Sequence, residues 1–178
     1  MTVVVKTPSS CTDSEIAAFC SLVRQIGEAD PGGLENRVRS ALALVFLHRD
    51  GQLAGIAALR APGEPYKAAI FHLSGVDADP AAYGADIGWV FVPESHRGKH
   101  LSRLLVDAAL SRAKGINVFA ISKPSNAPMN RTLEHFGFAR AGRPWYSSRG
   151  NYDLVLYVRN SGAGVSLETG AGRPGRAP

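Results

Sequence analysis

Residues 92–102, VPESHRGKHLS, hold the most concentrated chemistry in the chain. Pro93 ends a strand-like run, Arg97-Gly98-Lys99 makes a basic turn, and Leu101 begins a helical period. A turn that opens a helix aims several unpaired N–H groups at one point, with the positive end of the helix dipole behind them, so it suits a phosphate or pyrophosphate. Arg97 and Lys99 add charge. His100 and Ser102 stand where such a loop favours glycine. Ser102 is small and its hydroxyl can donate to a phosphate. For His100 the expectation is a negative φ in the first helical turn, with the imidazole pointing outward, because a β-carbon is costly at positive φ.

The neighbouring elements must position this turn. ADIGWVFV, residues 85–92, is aromatic and β-branched and reads as a strand. GKHLSRLLVDAALSRAKG places Leu101, Leu104, Leu105, Ala108 and Ala109 on one face, and Gly115 stops the helix. INVFAIS then reads as a buried strand, which completes a β-α-β unit. Upstream, TVVVK suits a first strand. TDSEIAAFCSLVRQIG shows the helix period through Ile16, Phe19, Cys20 and Val23, with a capping residue among Thr12, Asp13 and Ser14. A second short helix is expected near LENRVRSALA. LVFLHRDGQLAGIAALRA contains two apolar runs joined by Asp50-Gly51, a strong hairpin signal. APGEPYK reads as a connection and AAIFHLSGV as a strand. NAPMNRTLEHFG forms a short helix, and FARAGRP and YDLVLYVR supply two final strands.

With 178 residues, 45% of them apolar, the chain suits one domain with a substantial core. The expected domain is 1–160. After it, SGAGVSLETGAGRPGRAP has almost nothing to bury, so 161–178 is expected to be a disordered tail. No apolar run approaches the roughly 20 residues needed to span a bilayer, and MTVVVKTPSS lacks signal-peptide features, so the expected location is cytoplasmic, away from membranes. Cys11 and Cys20 have neither CxxC spacing nor flanking histidines, so reduced thiols and no metal site are expected. The net charge of +5 is scattered, and RNP and zinc-finger patterns are absent, so nucleic acid is not the expected partner.

DIGWVFVPESHRGKHLSRLLVDAAL, Asn126 and LEHFGF, in that order and spacing, resemble the GNAT superfamily of acyl-CoA-dependent N-acyltransferases, from roughly Leu44 to Arg159. The resemblance implies a mixed α/β fold: a mostly antiparallel central sheet flanked by helices, with a parallel, splayed strand pair at the cofactor site. It implies acetyl-CoA as cosubstrate, with Phe91 and Val92 on the pantetheine arm, Arg97, Gly98, Lys99, His100, Leu101 and Ser102 on the phosphates, and Asn126 also touching the cofactor. Asn126 can in addition cap the helix that follows it. Leu133 falls where many relatives carry a tyrosine that protonates the departing thiolate.

The implied activity is acetyl transfer to a primary amine by direct attack. An alkylamine has a pKa of about 10 and must lose a proton, and Asp86, where relatives often carry a glutamate, is the candidate base. His72 and Tyr83 are reserves. A thiol of pKa about 8.5 departs without much help, and Tyr146 or Tyr152 could supply its proton. The acceptor is a small-molecule or peptide amine. Tyr66, Trp145, Tyr146 and nearby basic residues favour an aromatic-walled groove and an acceptor with acidic groups. A homodimer stays open, since oligomeric state is not legible in the sequence. Two other readings stay open: a degenerate module that binds acyl-CoA without turnover, permitted by Leu133 and the altered glycines, and a basic protein associated with nucleic acid.

Overall fold

Asp50 and Gly51 both have positive φ, 51° and 78°, as a two-residue type I′ turn requires, and they join β2 (Ala43–Arg49) to β3 (Gln52–Arg60). The computed structural model describes residues 1–27, 32–98 and 100–162. To this hairpin are added β1 (Thr2–Lys6), β4 (Tyr83–Phe91), β5 (Asn117–Ser122), β6 (Ala139–Tyr146) and β7 (Asp153–Arg159). They form one seven-stranded sheet in the order β1-β2-β3-β4-β5-β7-β6. Every neighbouring pair is antiparallel except β4 with β5, which is parallel. The expected fold class is therefore the one observed.

α1 (Asp13–Gln25) begins with a complete capping box: Glu15 N–H donates to Thr12 Oγ1 at 3.2 Å, and Thr12 N–H donates to Glu15 Oε2 at 2.9 Å. With α2 (Leu34–Arg39) it buries Phe19, Val23 and Val38 against Leu44, Phe46 and Ile56 of one sheet face. α4 (Leu101–Leu110) covers the opposite face, where Leu101, Leu105, Val106 and Ala109 meet Val45, Leu47 and Leu59. Leu104, expected in that stripe, is 37% exposed instead. α5 (Ala127–His135) packs beside α4 through the buried Leu133.

AAIFHLSGV is not a strand. Glu64–Ser74 is a helix, α3, which also takes in part of the expected APGEPYK connection. Its buried residues, Lys67, Ile70, Phe71 and Ser74, follow the i, i+3, i+4, i+7 spacing of one helical face. Pro65 sits in its first turn, and Gly75 ends it at φ 66°. An apolar run as short as AAIF fits either element, and the tie is broken by Ile70 and Phe71 packing on Phe119, Trp145 and Leu156. Cys11 and Cys20 are both free. The expected tail lies, apart from 161 and 162, outside the described residues.

Candidate active site

β4 and β5 pair from Tyr83–Asn117 to Ile87–Ala120. Beyond that point β4 continues along β3 alone, with Gly88 opposite Ala58 and Phe91 opposite Ile56. The register shifts between those positions, and Trp89 within the shift has a φ of 52°, so β4 carries a bulge where it leaves β5. Ile121 and Ser122 of β5 retain β7 as their partner. A cavity of about 1010 Å³ opens at this splay. Trp89 and Val90 line it from β4, Ala120 to Ser122 from β5, and Met129 and Leu133 from α5. Residues of α3 and of the segment between α1 and β2 line its other side, so the cavity reaches both faces of the sheet. Phe91 and Val92 lie just past this lining: Phe91 packs toward the α1 face and Val92 toward the α4 face.

After β4 the chain makes a short 3-10 turn, Glu94–His96, and Arg97 Nε donates to the Val92 carbonyl at 3.2 Å. Gly98 has a φ of 90° and His100 a φ of 55°. His100 thus takes the left-handed conformation, contrary to the negative φ expected from the sequence. It precedes α4 rather than lying in its first turn, and here glycine would be relaxed while histidine carries backbone strain. Lys99 lies outside the described residues. No side chain caps α4, whereas Thr12 caps α1 and Asn126 caps α5 by accepting from Met129 N–H at 3.3 Å. The leading N–H groups of α4, including those of Leu101 and Ser102, therefore have no intrahelical carbonyl and no side-chain cap. The Ser102 hydroxyl is turned elsewhere: it lies 3.3 Å from Thr132 Oγ1, whose own proton goes to the Pro128 carbonyl at 2.9 Å. Ser102 is then the donor of that pair, which ties α4 to α5. Asn126 combines capping with a place in the cavity wall.

The cavity wall at β3 is built around an ion pair that sequence reading did not find. Asp86 is 1% exposed and lies directly opposite Arg60 across the β3–β4 pair. Arg60 Nε donates to Asp86 Oδ1 at 2.7 Å and Nη2 donates to Oδ2, a bidentate fork. Burial disfavours the Arg60 charge, yet the Asp86 carboxylate outweighs it and holds the guanidinium above its ordinary pKa. The guanidinium also lies over the Trp89 ring, 4.8 Å from its centroid. Arg60 lines the cavity and Asp86 does not. Tyr66 of α3 stands beside Arg60; burial pushes its phenol up from its ordinary pKa, with Arg60 pulling the other way. Tyr146 lines the mouth, 63% exposed, and its hydroxyl donates to Asn151 Oδ1 at 2.8 Å. Tyr152 also lines the cavity, under Lys123 Nζ at 3.8 Å from its ring centroid.

The profile of the acetyltransferase (GNAT) family matches residues 13–138. The chain belongs to the GNAT acetyltransferase family. A comparison with curated proteins finds no match. Among solved structures, an acyl-CoA N-acyltransferase from Pseudomonas aeruginosa aligns with a TM-score of 0.66 at 16% identity, over 89% of this chain and 98% of that one. Escherichia coli ElaA aligns with a TM-score of 0.67 at 12% identity, over 90% and 100%. Arabidopsis thaliana NAA60, solved with acetyl-CoA, aligns with a TM-score of 0.60 at 15% identity, over 89% and 99%. At such identities these structures speak to the GNAT fold.

Within the GNAT fold of this chain, the expected site residues divide into two groups. Arg97, Gly98, His100, Leu101 and Ser102 gather at the β4–α4 turn, and Asn126 stands across the splay. Asp86 reaches the cavity only through Arg60. His72 is exposed on α3, and Tyr83 is packed on Phe71 with its hydroxyl near Asn160 Oδ1 at 3.3 Å; neither lines the cavity. Leu133, in the position of the family's tyrosine, is 1% exposed and forms part of the cavity wall. Among the described residues there is no cluster of three metal-ligating side chains and no helix long and apolar enough to cross a membrane.

Proposed function

We propose that the protein moves an acetyl group from acetyl-CoA to a primary amine by direct attack. The observation that carries this reading is the splay after Ile87–Ala120, which opens a cavity between β4 and β5, with the uncapped start of α4 following β4 in the chain. The residues present fit the cosubstrate. The main-chain N–H groups of Gly98, His100, Leu101 and Ser102 suit its pyrophosphate, to which the side chains of Arg97 and Lys99 would add charge, and the strand edges freed at Trp89 to Val92 and Ile121 to Ser122 suit the amides of its pantetheine arm. Asn126 would flank that arm.

In the reaction the amine nitrogen bonds to the thioester carbon, the C–S bond breaks, the nitrogen sheds a proton, and the thiolate takes one up. The cavity contributes positioning, which supplies much of such an acceleration. Asp86 enters this scheme with both oxygens already accepting from Arg60, which favours a positioning role through Arg60 over direct removal of the amine proton. That proton passes to water in the open cavity. Tyr146 is the proposed donor to the thiolate, a modest role because a thiol of pKa about 8.5 leaves readily.

Titration calorimetry with acetyl-CoA and coenzyme A tests the reading. Micromolar binding that falls at least tenfold in Arg97→Ala with Asn126→Ala, together with thiol release when amines are added, is the expected result. No heat with either ligand would sink it. Leu133 favours a second reading, a module that binds acyl-CoA without turnover, and binding with no thiol release from any amine would select it.

A further inference from the structure

The charged side chains lining the cavity are Arg37, Arg60, Lys123 and Arg149; no aspartate or glutamate lines it among the described residues. An arginine fork offers five N–H donors. Two of those on Arg60 go to Asp86, which sits behind it, and the rest of the fork is directed by that pair, by the Trp89 ring and by the neighbouring Tyr66 phenol. A guanidinium fixed from behind by a carboxylate and from the side by an aromatic face is pre-organised to read a planar anion. Its place in the fold is equally informative. Arg60 is opposite Asp86, one residue before the last β4–β5 pair, so it stands beside the point where the sheet parts. Part of the cavity wall is apolar, made by Ile70 and Leu73 of α3 with Trp145, and Leu73 is 45% exposed.

We propose that the acceptor is an α-amino acid with an apolar side chain, its carboxylate read by Arg60 with Tyr66 and its side chain laid against α3. This rests on the acetyltransferase reading above. An α-amino nitrogen is one carbon away from its carboxylate, so a carboxylate held at Arg60 brings the nucleophile to the splay. An amine lacking the acid makes no use of the N–H groups of Arg60 that Asp86 leaves over, and a cationic side chain meets the like charges of Arg37, Lys123 and Arg149.

The test uses the full chain, acetyl-CoA and a thiol-release assay with matched sets: leucine and phenylalanine, their carboxamides, their decarboxylated amines, and dipeptides beginning with the same residues. The expected result is a kcat/KM for the free amino acids at least tenfold above every other member of their set. Tyr66→Phe, which leaves Asp86 and Arg60 paired, should lower kcat/KM for the amino acids several-fold more than for the decarboxylated amines. Equal or faster turnover of the decarboxylated amines, carboxamides or dipeptides overturns the acceptor class while leaving acetyl transfer standing. Thiol release with no amine at all overturns both.

Discussion

At the start of α4 the main-chain N–H groups have no side-chain cap and follow Gly98 and His100, both at positive φ, whereas around Arg60 the polar groups are side chains drawn from separate elements. The two regions therefore depend on different things. The first needs a local backbone path and tolerates varied side chains. The second needs β3 and β4 in one register, because the paired residues Arg60 and Asp86 are 26 positions apart. Each region should break under a different kind of substitution.

The largest effect is expected in the side-chain region. Arg60→Ala leaves the Asp86 carboxylate buried without its partner, which typically costs about 3–5 kcal/mol. Urea denaturation should show that loss, and Arg60→Met with Asp86→Leu should recover most of it, since an apolar pair of similar volume removes the stranded charge. Acetyl-CoA affinity of the double variant should stay within a few-fold of wild type, while KM for the acceptor rises. A double variant as unstable as Arg60→Ala would mean that the ion pair is not the source of the effect.

In the main-chain region, side-chain chemistry should matter less than φ. His100→Gly is expected to keep or tighten acetyl-CoA binding, because glycine takes a φ of 55° without strain. His100→Val should weaken both stability and binding by about 1–2 kcal/mol, since a β-branched residue is disfavoured in that region. Calorimetry on the two variants separates the alternatives. Loss of binding in His100→Gly would show that the imidazole, not the turn, holds the ligand.

The same contrast explains what could be read from the sequence. Asp50-Gly51, the capping residues of α1 and the turn between β4 and α4 are local patterns that formed where their residues predicted, and α4 formed on its amphipathic run but ends at Leu110, short of Gly115, with Leu104 exposed. The mostly antiparallel sheet with one parallel pair came through the family resemblance, since seven strands can be threaded in many ways that satisfy the same periodicities. Three features escaped. AAIFHL is short enough to fit a strand or a helix, and only packing on Phe119 and Trp145 decides for α3. The φ of His100 depends on how β4 exits the sheet at a bulge, which residue types do not encode. Arg60 belongs to no local motif, and its role depends on a β3–β4 register with a shift in it.

The smallest effect is expected far from both regions, at the capped helix that contrasts with α4. Thr12→Ala removes one half of the capping box of α1 and should cost about 1 kcal/mol, with acetyl-CoA binding unchanged. The pH dependence of that cost has a definite sign. A hydrogen bond from Lys6 Nζ at 2.6 Å, reinforced by the Thr12 N–H, holds the Glu15 carboxyl below its ordinary pKa. The folded chain therefore binds fewer protons at Glu15 than the unfolded chain between the depressed value and the ordinary one near 4.3, and stability rises with pH across that window. The contribution is fully present above about pH 4.3 and is lost as pH falls through the depressed value. Thermal melts of wild type and Glu15→Gln between pH 7 and pH 3 should converge at the acid end. A gap between them that stays constant over the whole range would assign the stabilisation to the shape of the cap alone, and the start of α1 would then resemble that of α4 in depending on backbone path rather than on charge.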